Sequence, residues 1–176
     1  MPISTKPGDI AFASILSGAY ASAAIALFFL VADALGGRIL YTPSLMGQVV
    51  LFDTGPADVT AVRLDAFALY SVVHLVAFIG IGSLVTQAYS RSLIPGSGPG
   101  LFVFTLGLLT AGTMAVDWVF YPGIIDAIGR LPLALGNGTA SATMTAMIYW
   151  TFSTKDSASP TEPPTDRSGP SPRTGS

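Results

Sequence analysis

His74 is the only histidine in the 176 residues, and the chemistry open to this chain turns on it. It sits near the centre of AVRLDAFALYSVVHLVAFIGIGSLVTQAYS, residues 61–90. That stretch is long enough to cross a bilayer, and roughly twelve residues into it an imidazole lies close to the midplane. An ionisable ring is costly there without a partner. Three roles follow. The plainest is structural: the ring hydrogen-bonds a hydroxyl or carbonyl of a neighbouring helix and holds the bundle together. The second is axial ligation of a tetrapyrrole, haem or (bacterio)chlorophyll, by the neutral ring nitrogen. One histidine excludes bis-histidine haem within one chain, whereas a five-coordinate magnesium tetrapyrrole needs a single ligand. The third is a proton relay, weakened because no carboxylate is expected at the same depth.

A second group of chemically capable residues is acidic and basic. Asp33, Arg63, Asp65, Asp117, Asp126 and Arg130 fall at the ends of apolar stretches. If those stretches alternate in direction, all six reach the same membrane surface. A solvated, partly paired rim that fixes helix depth is the leading reading, with Asp126 and Arg130 four apart and able to pair on one turn. The sharper reading is a cation or substrate vestibule with Asp117 at its base. Asn137-Gly138-Thr139 matches a glycosylation sequon but lies inside an expected span, so helix packing is the better account. The run 96–100, GSGPG, lacks the Lys-Ser/Thr ending and the preceding strand of a phosphate loop. Without cysteine, thiolate metal sites, cysteine-held iron–sulfur clusters and disulfides are excluded. No nucleophile–base pair is readily assembled, which leaves hydrolytic enzymes poorly supported.

The elements that must position these groups are membrane helices. Half of the chain is apolar (51%) and only 10% is charged, against about a quarter charged in soluble domains. Four stretches, about 10–34, 63–88, 101–121 and 131–152, are expected to span. The charge-free 23 residues at 10–32 reach roughly 34 Å as a helix, matching a hydrocarbon core of about 30 Å. They are about twice the length of a secretory h-region, so the helix is expected to be retained. Thr42-Pro43 reads as an N-cap followed by proline at N1. It opens a short helix over 44–52 that lies in the interface or tucks against the bundle.

Small residues recur every fourth position in two spans: Ser14, Gly18, Ser22 and Ala26, then Ala134, Gly138, Ala142 and Ala146. Such ridges let helix backbones approach closely in lipid. Trp118 and Tyr121 at one face, with Tyr89, Tyr149 and Trp150 at the other, fit interfacial belts. From residue 153 the composition turns to Ser, Thr, Pro and charge, and a disordered tail is expected over 153–176.

The expected fold class is therefore an all-α integral membrane protein. It is a four-transmembrane-helix bundle over 1–152 with a short interfacial helix in its first loop. Four crossings put both termini on one side, and the balance of Lys and Arg leans toward the cytoplasm of a bacterial inner membrane. The expected function is a non-catalytic subunit packed laterally into a larger membrane complex, photosynthetic or respiratory, with a pigment or lipid contact. Its partners would be membrane lipid and other membrane subunits, and the absence of a basic block argues against nucleic acid. The competing function is a small oligomeric transporter or channel using the acidic rim and His74. An enzyme acting on lipid or quinone is a third possibility.

Overall fold

The computed structural model describes residues 6–94, 97–119 and 122–156, the last four by their backbone alone. Residues 1–5, 95–96, 120–121 and 157–176, with Tyr121 of the expected belt and most of the expected tail among them, lie outside the described residues. The order is α1 (Pro7–Leu35), α2 (Tyr41–Phe52), a 3-10 turn (Pro56–Asp58), α3 (Leu64–Ser90), α4 (Gly98–Val119), α5 (Ile124–Ile128) and α6 (Arg130–Asp156). The described residues contain no strand.

Three helices, α1, α3 and α4, are long and apolar enough to cross a membrane. Pro7 opens α1 in the first turn, where its missing N–H costs nothing. The helix closes at Gly36, and Gly37 takes a left-handed φ of 70°. α6 is as long as α3, at 27 residues each, but Asn137, Thr139, Ser141, Thr143 and Thr145 make its middle less apolar. Those polar groups are largely absorbed inside the protein. The Thr139, Ser141 and Thr143 hydroxyls donate to the carbonyl four residues back at 2.9, 2.7 and 2.9 Å. Asn137 Nδ2 donates to Thr113 Oγ1 of α4 at 3.2 Å.

The long helices pack in the order α3–α1–α6–α4. Their shared core includes Ala21, Ile25, Phe78, Val85, Leu101, Leu109, Ala140, Met144 and Ile148. α1 and α3 cross where two glycines meet. A Cβ on Gly82 would stand 2.7 Å from the Ser14 carbonyl oxygen, and one on Gly18 would stand 2.6 Å from the Ile79 Cα. Large apolar side chains such as Leu27, Val72, Val76 and Val103 cover the perimeter and are exposed, 60 to 65% in these four. Lipid, not water, suits such a surface.

At the end where α1 stops and α3 begins, a second core of Leu45, Val49, Val59 and Ile124 joins α2, the 3-10 turn and α5 into a cap. α2 begins one residue earlier than Thr42, after Leu40 in a left-handed conformation. Thr42 therefore does not act as its N-cap: the Thr42 hydroxyl donates instead to Asp33. Within α2, Thr42, Ser44, Leu45, Gly47, Gln48 and Val49 are all buried, so this helix is tucked against the protein. α6 continues to Asp156, past residue 153 where the composition turns polar.

Candidate functional site

His74 sits in a column of rings along one face of α3. Its ring centroid lies 5.5 Å from that of Tyr70 and 4.5 Å from that of Phe78, because residues four apart share a helix face. Tyr70 Oη and His74 Nδ1 are 3.4 Å apart, a long hydrogen bond. These partners belong to the histidine's own helix, whereas the sequence suggested a neighbouring one. Two proton arrangements fit. If Tyr70 donates to Nδ1, the other nitrogen, Nε2, carries the proton. If Nδ1 donates to Tyr70, Nε2 presents a lone pair. Only the second arrangement suits a metal at Nε2. Among the described residues no group of three or more His, Cys, Asp or Glu could hold a metal ion.

The charged rim divides into two kinds of residue. Asp33 is buried (9% exposed). It accepts from the Thr42 backbone N–H and the Thr42 hydroxyl, both at 2.7 Å, and so caps α2 from the end of α1. Asp117 accepts from the backbone N–H groups of Gly123 at 3.1 Å and Ile125 at 2.9 Å. These two acids are used to fasten helix starts. Arg63 and Asp65 pair at 2.6 Å, and Asp126 and Arg130 at 3.4 Å, on the exposed surface. The hydrogen bond to Asp65 holds the Arg63 guanidinium above its ordinary pKa, and the same guanidinium stacks 4.5 Å from the Phe52 ring centroid.

The two small-residue ridges face in different directions. Ser14, Gly18 and Ser22 are buried, with Gly18 at the α1–α3 crossing, and Ala26 is exposed. On α6, Ala134, Ala142 and Ala146 are exposed, and a Cβ on Gly138 would meet nothing within 4 Å. The buried face of α6 is instead Gly136, Asn137, Ala140, Ser141, Met144 and Ile148. Gly136 takes the close contact there, with the Phe29 ring 3.0 Å from where its Cβ would be. Trp118 and Trp150 are exposed at opposite ends of the long helices.

Sequence reasoning missed the polar joints of the cap. Ser44 Oγ accepts from the Arg63 backbone N–H at 2.8 Å, and Gln48 Nε2 donates to Ser44 Oγ at 3.1 Å and to the Ala61 carbonyl at 3.0 Å. The Ser44/Gln48 spacing of four was the available signal. It also missed Arg38, whose guanidinium carbon lies 4.0 Å over the Tyr41 ring centroid. Two cavities open on this cap. One, of about 160 Å³, is lined by residues including Phe29, Asp33, Arg38, Thr42 and Pro132. The other, of about 510 Å³, lies between the 3-10 turn and Pro122-Gly123. Tyr41 and Ala127 border both.

Comparison with protein-family models, curated proteins and solved structures finds no match in any of the three. Function is therefore argued from the site alone.

Proposed function

We propose that the chain is a non-catalytic integral membrane subunit of four traverses that docks laterally onto a larger membrane complex. α6 is the fourth traverse in this reading. Its length and the internally paired hydroxyls of Thr139, Ser141 and Thr143 support that, since lipid tolerates polar groups only when they are paired within the protein. The carrying observation is the outward ridge Ala134, Gly138, Ala142 and Ala146, left without a partner in the chain's own packing. A ridge of this kind is a surface on which another helix can lie close. We place the protein in a bacterial inner membrane with both termini in the cytoplasm, and take a photosynthetic or respiratory assembly as the host.

His74 is the pigment contact in this reading, offering Nε2 to the magnesium or iron of a tetrapyrrole when Tyr70 accepts from Nδ1. The oligomeric channel draws less support, because the Asp117 carboxylate, the base of the expected vestibule, already accepts from two backbone N–H groups.

Gentle detergent extraction tests the assignment. Other polypeptides should co-purify with the chain, and Gly138→Leu should deplete them while leaving the helical content intact. Recovery of the chain alone would overturn the docking. His74→Ala should abolish any visible absorbance; a spectrum featureless before the substitution removes the pigment. Ion flux in liposomes that falls on His74→Ala would favour the channel instead.

A further inference from the structure

We propose that the smaller cap cavity holds the headgroup of a phospholipid whose phosphate is followed by a primary ammonium. The cavity, about 160 Å³, sits where α1 ends and is bordered by both Asp33 and Arg38. These residues carry opposite charges, yet neither belongs to the ion pairs Arg63–Asp65 and Asp126–Arg130. Arg38 is held by stacking on Tyr41, which fixes the guanidinium and leaves its planar fork of N–H donors for an oxyanion. Asp33 accepts one hydrogen bond on each carboxylate oxygen, and each oxygen retains a further lone pair for an ammonium. A cavity presenting separated charges of both signs matches a ligand that carries both.

The remaining walls point to a lipid. Phe29, Ile128 and Pro132 give the cavity an apolar side. The volume suits a headgroup with its tails outside, and the end of a spanning helix lies at headgroup depth. A soluble amino phosphate shares the headgroup's chemistry but brings no acyl chains to the bilayer around that helix end. This inference requires α1 to cross the bilayer and does not depend on lateral docking.

The test uses the full chain, delipidated in detergent, with lipid retention read by native mass spectrometry. Phosphatidylethanolamine, phosphatidylglycerol, phosphatidylcholine and free phosphoethanolamine are offered at equal concentration. Phosphatidylethanolamine should be retained about tenfold better than the other three, the scale of one charge-assisted hydrogen bond. Arg38→Gln should reduce that retention about tenfold. Asp33→Asn, which keeps the side chain's shape, should bring the ethanolamine and glycerol lipids close to parity. If Asp33→Asn does not fold, Tyr41→Leu takes its place, and its removal of the stacking platform should lower ethanolamine-lipid retention. Equal retention of the three lipids, preference for the glycerol lipid, equal binding of free phosphoethanolamine, or an unaffected Arg38→Gln protein would each overturn the proposal.

Discussion

Asp33 reaches nine residues along the chain to hold both the backbone N–H and the hydroxyl of Thr42. Removing it strips the start of α2 of its acceptor and leaves a buried amide unsatisfied. Asp33→Ala should therefore cost about 1–3 kcal/mol, seen as a lower unfolding midpoint in detergent and faster hydrogen exchange at the Thr42 amide. Thr42→Val removes only the hydroxyl bond and should cost less, about 1 kcal/mol. Exchange at Thr42 unaltered by Asp33→Ala would contradict the capping role. Asp33 and Asp117 were legible in the sequence as acids at helix ends. Their partners were not, because an aspartate facing water and one reaching a backbone amide beyond the next turn have the same local sequence. The depth of His74 was equally legible, but helical spacing alone did not decide between a cross-helix partner and Tyr70 one turn away.

Among elements, α1 and α6 share the four-residue recurrence of small side chains but use it on opposite sides of the packing. On α1 the ridge is spent within the chain, at the Gly18–Gly82 crossing. Gly82→Leu should push α1 and α3 apart at a backbone contact, where neither side can yield as a flexible side chain would. The expected loss is about 3 kcal/mol or more, read as a lower midpoint or as proteolysis of the purified protein. Gly138→Leu, on an open surface, should shift the isolated chain by no more than about 0.5 kcal/mol. Similar losses for both would mean the α6 ridge is packed inside the molecule. Periodicity made both ridges legible, but the facing of α6 depended on its neighbours. Asn137 and Ser141, polar in sequence, turn inward because Thr113 and the helix's own carbonyls receive them.

At the scale of the whole molecule, the absence of cysteine makes topology directly measurable, since an introduced thiol has no background. With four traverses, Lys6→Cys, Ser92→Cys and Lys155→Cys should react with an impermeant maleimide from one side of the membrane. Asp58→Cys and Asp126→Cys should react only from the other. Labelling of Lys155→Cys and Asp126→Cys from the same side would mean that α6 does not cross. Helical class and apolar extent were plain in the composition. The cap was harder to foresee, because α2, the 3-10 turn and α5 are short and are held by contacts between segments distant in sequence.

The glycine crossing also acts as an off-centre pivot. Gly82 lies 18 residues from Leu64 and 8 from Ser90, so the arms of α3 about that point are roughly 27 Å and 12 Å long. Any change in the scissor angle between α1 and α3 swings the Leu64 end about twice as far as the Ser90 end. Ser44 and Gln48 grip the chain at Ala61 and Arg63, beside the tip of the longer arm, where a given restraining force exerts the most torque. Loosening that grip should be felt as play at the cap long before the hinge itself gives way.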